Sequence, residues 1–156
     1  VHARTRKEMS KVPAQWKFVK LAVNIRNASG KDTLIFGNGD VKNLKEARMR
    51  LEETGCDGVM LGRAIFGNPW LFTERVPEVE EKLRVLVEHT KLFEELLGGS
   101  SLRQDSGEPS KNFAVMKKHF KAYISGFDHA GELRGKLMNT NNASDVEKIV
   151  SDILST

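Results

Sequence analysis

The sequence predicts an α/β segment followed by an all-helical segment. Two short apolar stretches, residues 34–36 and 58–61, flank an amphipathic stretch of about a dozen residues. Strand–helix–strand units of this kind build parallel sheets that are covered by helices. After the sequence GNPWLF at residues 67–72, every periodic stretch has the spacing of a helix. The expected architecture is therefore mixed at first and then purely helical.

The α/β segment begins with a predicted helix. Pro13 suits its first turn, and NASG at residues 27–30 suits its exit. The apolar residues that recur at helical spacing between them are Trp16, Val19 and Val23. The strand at 34–36 is followed by a Gly-Asn-Gly-Asp turn, and a second helix is marked by Leu44, Ala47 and Leu51. We expect this helix to end at Gly55, because glycine readily adopts the left-handed conformation that follows many helices.

The helical segment contains three predicted helices. The apolar stripe of the first consists of Val79, Leu83, Leu86, Phe93 and Leu97. The stripe of the second consists of Phe113, Met116, Phe120, Tyr123, Ile124 and Phe127. The third is predicted over residues 143–154, with Ser144 and Glu147 at the spacing of a capping box. Residues 98–110, between the first two helices, are rich in Gly, Ser and Pro and predict a mobile surface loop.

The composition excludes several classes of protein. The 156 residues suffice for one ordinary core or two small ones, and no apolar run approaches the ~20 residues that cross a bilayer. The N-terminal stretch does not have the pattern of a signal peptide, so we expect a cytoplasmic location. The single cysteine, Cys56, excludes an internal disulfide and a multi-cysteine zinc site, and no metal site is predicted. A net charge of +4 favours an anionic partner.

Glycine-rich turns follow both predicted strands. Gly37 and Gly39 come directly after the first strand, and Gly62 and Arg63 follow the second. The carboxyl ends of parallel strands meet at one edge, where backbone N–H groups and an arginine fork would suit a phosphate. In (β/α)8 barrels the loops after the seventh and eighth strands frequently hold such a phosphate. The alternative is that these glycines only form tight turns.

Several motifs in fixed order point to a known family. They are HARTR at residues 2–6, PAQW at 13–16, GNGD at 37–40 and TGCDGVMLGRAIFGNPWLF at 54–72. With the later helices, this series resembles the tRNA-dihydrouridine synthases over nearly the whole chain. The resemblance implies that residues 1–76 form the C-terminal part of an FMN-binding TIM (β/α)8 barrel. Residues 77–156 would then form an all-α helical bundle that binds tRNA.

The resemblance also implies the residues of the site. Those expected around the FMN phosphate and ribityl chain are Gly37, Asn38, Gly39, Asp40, Gly62, Arg63 and Ala64, with His2 beside the flavin. Arg4 and Arg6 resemble residues that lie near the substrate nucleotide. In the helical segment, lysines crowd the second predicted helix while glutamates crowd the first. The residues predicted to contact tRNA phosphates are Lys117, Lys118, Lys121 and Arg134; the alternative is a solvated basic face without a ligand.

The chemistry implied by the resemblance is reduction of the uracil C5–C6 double bond in tRNA. A reduced flavin gives hydride to C6, an acid protonates C5, and NADPH is the usual source of electrons. The resemblance implies that the stub Val1-His2 belongs to the sixth strand of the barrel, so the half that carries the family's catalytic cysteine is absent from the printed sequence. Cys56, in TGCDG, is expected to be a buried thiol without that role. We therefore expect no catalytic residue within these 156 residues, and no activity or firm flavin binding from them alone.

Two other functions remain open from the sequence. One is a different FMN- or phosphate-binding barrel whose helices do not contact RNA. The other is an RNA-binding module without a redox role. The sequence predicts no obligate protein partner. His89 and His129 lack the spacing of metal or catalytic histidines and are expected to be surface or packing residues, whereas His119 lies among lysines.

Overall fold

The computed structural model describes residues 1–8, 11–98 and 111–155. The chain divides into two compact units. The first comprises Val1–Ile65 and Pro69–Arg75, and the second comprises Phe66–Asn68 and the chain from Val76 onward. Within the described residues, no helix has the length and apolar character to cross a membrane.

The first unit contains a strand–helix–strand unit preceded by another helix. In chain order its elements are α1 (Lys17–Ala28), β1 (Phe36–Asn38), α2 (Leu44–Thr54) and β2 (Gly58–Met60). The two strands are parallel, with Phe36 opposite Gly58 and Asn38 opposite Met60. His2 adds an isolated parallel bridge to Asn38, so three neighbouring chain segments run in one direction. The predicted parallel α/β unit is therefore present in this part of the chain.

The first strand begins two residues later than the sequence predicts. Leu34 and Ile35 precede β1, and Leu34 is 65% exposed. The backbone N–H of Ile35 donates to the side chain of Asp57 at 2.7 Å, while its carbonyl accepts from the backbone N–H of Asp57 at 2.9 Å. Because both backbone polar groups of Ile35 are hydrogen-bonded to Asp57, the regular hydrogen-bond ladder between the strands starts only at Phe36. The second strand ends at Met60 rather than at residue 61.

Capping groups fix both ends of α2. The side chain of Asn43 accepts from the backbone N–H of Glu46 at 2.8 Å. At the other end Gly55 has φ 69°, and its N–H donates to the carbonyl of Leu51 at 2.8 Å. The predicted end of this helix at Gly55 is confirmed. The apolar side of α2 packs in a core made of Ala3, Trp16, Val19, Val23, Val41, Ala47 and Cys56.

The second unit is helical throughout its described residues. Its helices are α3 (Val79–Leu97), α4 (Lys117–Tyr123), α5 (Ala130–Met138) and α6 (Ala143–Leu154), and a 3₁₀ turn at Phe113–Met116 leads into α4. The bounds of the predicted first and third helices agree with α3 and α6. The predicted loop at 98–110 lies outside the described residues apart from Gly98. Helix α5 is not predicted from the sequence, because its two glycines lower its helix propensity.

Two local predictions in this unit are wrong. The second helix does not continue to Phe127, since α4 ends at Tyr123. The guanidinium of Arg134 donates to the carbonyl of Ile124 at 2.7 Å, so this carbonyl is not used to extend the helix. The cap of α6 is not Ser144. Instead, the side chain of Asn142 accepts from the backbone N–H of Asp145 at 2.8 Å, and Asp145 accepts in return from the N–H of Asn141 at 3.2 Å.

Aromatic packing supports α4 from the segment Phe66–Asn68. The ring of Phe66 lies 5.1 Å from that of His119, and the ring of His89 lies 4.9 Å from that of His119. Gly67 has φ 63°, and a Cβ there would lie 2.6 Å from the backbone of Ala122 and Tyr123, so only glycine allows this close approach. These contacts fix the helix that carries the predicted tRNA-contacting lysines.

His119 is held in a neutral form by its surroundings. Its Nδ1 is buried, and within the described part of the chain it has no hydrogen-bond partner. Burial, and to a smaller extent the neighbouring His89 and Lys118, lower the pKa of His119 to about 4. Burial also lowers the pKa of His89, whose Nδ1 lies 3.3 Å from the Tyr123 hydroxyl. His89 is thus a packing residue, in line with the sequence analysis.

Replacing His119 by Phe should flatten the pH dependence of stability between about pH 6.5 and 4. In this window the unfolded chain protonates His119, whose ordinary pKa is 6.5, while the folded chain does not, so the free energy of unfolding falls as the pH falls. The slope from this residue is at most about 1.4 kcal/mol per pH unit. Urea unfolding followed by circular dichroism at several pH values measures it. His129→Asn is the matched control, because His129 is exposed; an unchanged slope in His119→Phe would contradict the assignment.

Candidate phosphate cleft and basic depression

A cleft of about 830 Å³ lies at the carboxyl ends of the parallel segments of the first unit. Three successive segments contribute to it: the chain after the His2 bridge, the turn after β1, and the turn after β2. Of the eight residues predicted to contact the cofactor, all except Gly37 line the cleft; they are His2, Asn38, Gly39, Asp40, Gly62, Arg63 and Ala64. The fold therefore brings together residues that are up to 62 positions apart, from His2 to Ala64.

The three glycines of the predicted phosphate cup have different roles. A Cβ on Gly37 would lie 2.4 Å from the ring of Trp16, so this glycine makes room for the buried indole. Gly39 has φ 139°, and a Cβ there would lie 2.9 Å from the Cβ of Ala14. Gly62 has open space at the corresponding position and lines the cleft. Gly37 is thus explained by core packing, and Gly62 leaves its side of the cleft free for a ligand.

Asp40 joins the three sides of the cleft. One carboxylate oxygen, Oδ2, accepts from the guanidinium of Arg4 and from the backbone N–H of Ala14 at 3.0 Å. The other, Oδ1, accepts from Nη2 of Arg63 at 2.9 Å. Asp40 itself has φ 55°, a left-handed conformation that aspartate tolerates better than most residues. A single carboxylate therefore ties together the segments that follow His2, β1 and β2.

The charges of this network favour the ionised carboxylate. The hydrogen bond from Arg4, the N–H of Ala14 and the charge of Arg63 lower the pKa of Asp40 to about 2, against a smaller opposing effect of burial. The same pairing raises the pKa of Arg4. Asp40 consequently carries a full negative charge in the cleft at physiological pH.

Further residues of the cleft were not foreseen from the sequence; they are Val41, Lys42, Glu46, Met49, Arg50 and Met60. Glu46 accepts from the backbone N–H of Lys42 at 2.9 Å, and the guanidinium of Arg50 lies 5.4 Å from the Trp16 ring. The signal for three of them is their spacing, because Glu46, Met49 and Arg50 fall on one side of α2.

A second candidate site lies on the helical unit. Lys117, Lys118 and Lys121 of α4 line a depression of about 370 Å³ together with Arg134, Gly135 and Met138 of α5. The ammonium of Lys118 lies 5.1 Å from the centre of the Phe66 ring, and Arg134 is held by its bond to the carbonyl of Ile124. All four predicted tRNA-contacting residues thus share one surface, which we call the basic depression.

Comparison with known proteins identifies the family. A family model described as dihydrouridine synthase matches residues 1–156. The chain belongs to the dihydrouridine synthase family. It is 34% identical over 154 residues to a probable tRNA-dihydrouridine synthase of Staphylococcus aureus, and 34% identical over 154 residues to probable tRNA-dihydrouridine synthase 2 of Bacillus subtilis. These matches cover 97% of this chain but 44% and 45% of those proteins, so the chain spans less than half of their length.

The two arginines that resemble substrate residues of the dihydrouridine synthases differ in setting. The side chain of Arg4 is only 6% exposed; its Nε donates to the carbonyl of Val12 at 2.5 Å and its Nη2 to Asp40. Arg4 is therefore held at the wall of the cleft. Arg6 is exposed and does not line the cleft. A contact of either arginine with a nucleotide stays a prediction.

The cysteine of this chain is buried in the core of the first unit. Cys56 is 6% exposed, and its Sγ donates to the carbonyl of Gly58 at 3.3 Å. This agrees with the expected buried thiol. Within the described ranges, no group of three or more His, Cys, Asp or Glu side chains could hold a metal ion.

Proposed function

We propose that this chain contributes to a tRNA-dihydrouridine synthase that reduces uridine to 5,6-dihydrouridine in tRNA, with FMN as cofactor and NADPH as reductant. The observation that carries the proposal is the cleft at the carboxyl ends of three parallel segments, which contains seven of the eight predicted cofactor residues, Arg63 among them. Membership of the dihydrouridine synthase family supports it.

In this proposal the first unit is part of a (β/α)8 barrel. The support is the parallel order of the His2 bridge, β1 and β2, with their carboxyl ends at one cleft. In such barrels the active site lies at that end of the strands, and the last two loops frequently hold a phosphate. We assign residues 1–76 to the FMN-binding part and residues 77–156 to tRNA binding.

The cleft fits the phosphate end of FMN. Its volume of about 830 Å³ is within the range of ligand pockets. Gly62 leaves open space at its edge, and the exposed guanidinium of Arg63 is available for a charge-assisted pair with a phosphate. Asn38 and Asp40 form the wall beside it, and His2 lies where the segment that precedes Arg4 enters the cleft.

Bound FMN would supply the reducing power, and the residues of this chain would bind and orient it. Arg63 and the backbone of residues 62–64 would hold the phosphate, while the Arg4–Asp40 pair would keep the wall of the cleft in place. The target base must leave the tRNA stack to reach a flavin. The basic depression would hold the tRNA through its phosphates, because four cations of α4 and α5 surround it.

Replacing Arg63 by Ala should weaken FMN binding about ten- to a hundredfold. The substitution removes one charge-assisted contact, which contributes about 1.5–3 kcal/mol. The protein for this test is the longer Staphylococcus aureus relative in which this chain replaces the segment that it matches. FMN affinity is measured by quenching of flavin fluorescence.

The matched control is Arg48→Ala, which removes a similarly exposed arginine that pairs with Glu74 away from the cleft. Equal FMN affinities of the Arg63→Ala and Arg48→Ala variants would reject the phosphate assignment. A colourless chimera that retains tRNA affinity would favour an RNA-binding module without a redox role.

Replacing Lys117, Lys118 and Lys121 by Ala should reduce the salt dependence of tRNA binding. Each phosphate contact releases counterions, so the loss of three contacts should flatten the slope of log affinity against log salt by roughly 2 to 3 units. The measurement is a titration of the same chimera with tRNA at several salt concentrations, after circular dichroism has confirmed folding.

The control for this triple variant removes Lys82, Lys91 and Lys148, which lie on α3 and α6 outside the basic depression. It changes the net charge equally, so it corrects for long-range electrostatics. If both triple variants give the same slope and affinity, α4 does not belong to the RNA interface.

A further inference from the structure

The basic depression has an apolar floor beneath its cations. Met138 lies at its edge with 47% of its surface exposed, and Gly135 leaves part of the wall without a side chain. A Cβ on Gly135 would have no neighbour within 4 Å, so the space in front of this residue is open. The methylene stems of the lysines line the remainder, because a lysine covers apolar surface with its stem and keeps its ammonium in water.

A phosphate does not require such a floor. It is held by cations and N–H donors, and it loses favourable hydration when it enters an apolar hollow. A flat basic face would hold an RNA backbone equally well. The volume of about 370 Å³ is within the range of pockets that take small organic groups. The depression therefore suits an occupant with an apolar body that is flanked by negative charge.

Arg134 supplies a fixed planar surface at this depression. Its Nη1 donates to the carbonyl of Ile124 at 2.7 Å, and the residue is half-buried. Guanidinium planes are among the surfaces on which unstacked RNA bases lie. Met138 is four residues later on α5, so its polarizable thioether is on the same side of the helix. Together these two side chains can contact both the face and the edge of a flat ring.

We propose that the basic depression binds one unstacked nucleobase of an RNA, while its lysines hold the adjoining phosphates. The inference rests on the tRNA surface of the proposed function and deepens it, because that surface was assigned to phosphates alone. In this account Arg134, Gly135 and Met138 contact the base. The ligand class is an unpaired nucleotide, such as those in the loops of a tRNA.

The charges of the depression favour a nucleotide over other apolar occupants. Three lysines and one arginine line it, and no acidic side chain of the described residues does so. A neutral apolar ligand would gain nothing from these four charges. A nucleotide places an apolar ring between two anionic linkages, which matches an apolar floor with a cationic rim. An acidic peptide is the other ligand with both features, and the proposed tRNA substrate favours RNA over it.

The same lining predicts little preference for one base over another. The charged side chains are hydrogen-bond donors only, and the depression contains no carboxylate or amide side chain that could read a base edge. Contacts with the face of a ring are tolerant of sequence, because every base has such a face. A single oligonucleotide sequence therefore suffices to test the inference.

The test compares two ligands that differ only in their bases. The full 156-residue chain is titrated with a dye-labelled short oligouridylate and with an abasic oligonucleotide of the same length and charge, and binding is followed by fluorescence anisotropy. The wild type should bind the oligouridylate about tenfold more tightly than the abasic strand. Both ligands should show the same salt dependence, because they make the same phosphate contacts.

Gly135→Leu fills the depression and changes no charge. Leucine has a higher helix propensity than glycine within α5, so the variant should fold. The affinity ratio between the two oligonucleotides should fall below about twofold, while the salt dependence stays unchanged. Gly131→Leu is the matched control, since it makes the same exchange one turn earlier on α5, outside the depression. This control should keep the tenfold ratio of the wild type.

Met138→Ala provides a second variant that does not add bulk. It removes the thioether from the floor, so the affinity ratio should fall about threefold even if Gly135→Leu does not fold. Replacing Lys117, Lys118 and Lys121 by Ala should instead weaken both oligonucleotides alike and leave their ratio unchanged. An unchanged ratio in Met138→Ala overturns the proposal, and so does an equal fall in Gly135→Leu and Gly131→Leu.

The outcomes also separate this inference from the proposed function. If the wild type binds both oligonucleotides equally and with a steep salt dependence, the phosphate-binding surface stands and the base subsite is rejected. If it binds neither, the assignment of this surface to RNA is wrong and the base subsite falls with it. The depression is then a solvated face or a site for an acidic peptide.

Discussion

The carboxylate of Asp40 is the interaction on which the candidate cofactor site depends. It accepts from Arg4, from the backbone of Ala14 and from Arg63, and so it links the chain that follows His2, the segment before α1, and the turn after β2. The turn after β2 is distant in sequence from the other two segments, which also meet through the bond from the N–H of Gln15 to the carbonyl of Ala3 at 2.7 Å. A carboxylate that accepts several charge-assisted hydrogen bonds is held in a defined orientation by them. The geometry of the cleft therefore follows from one residue in a left-handed turn.

Core packing and site geometry meet at the GNGD turn. The indole of Trp16 lies against Gly37, where no side chain would fit, and its Nε1 donates to the carbonyl of Gly39 at 2.9 Å. This bond satisfies a buried donor and at the same time fixes the backbone just before Asp40. The hydrophobic core thus positions the polar turn. The same principle holds in the helical unit, where the contacts of Phe66 and Gly67 with α4 position the lysines of the basic depression.

The sequence predicts the elements that have a strong apolar periodicity. It does not predict element boundaries that depend on side-chain hydrogen bonds. The bounds of α3 and α6 follow from their apolar stripes, and the end of α2 follows from Gly55. The start of β1 does not follow from the sequence pattern, because the N–H of Ile35 donates to the side chain of Asp57 and not to a neighbouring strand. The motifs predict the members of the cleft, since strand ends in a parallel sheet converge. They do not predict that Gly37 serves the core or that Asp40 binds two arginines, because both depend on contacts between residues distant in sequence.

The ionisation of Asp40 tests this account most directly. The measurement is a titration of its side-chain carboxyl carbon by NMR in the wild type and in Arg4→Met, with Arg63→Met for comparison. We expect a pKa of about 2 in the wild type, and a rise toward the ordinary value of 3.8 that is larger in Arg4→Met than in Arg63→Met, because the hydrogen bond from Arg4 is the largest cause of the shift. A wild-type pKa near 3.8, unchanged when Arg4 is replaced, would contradict the claim that this carboxylate organises the cleft.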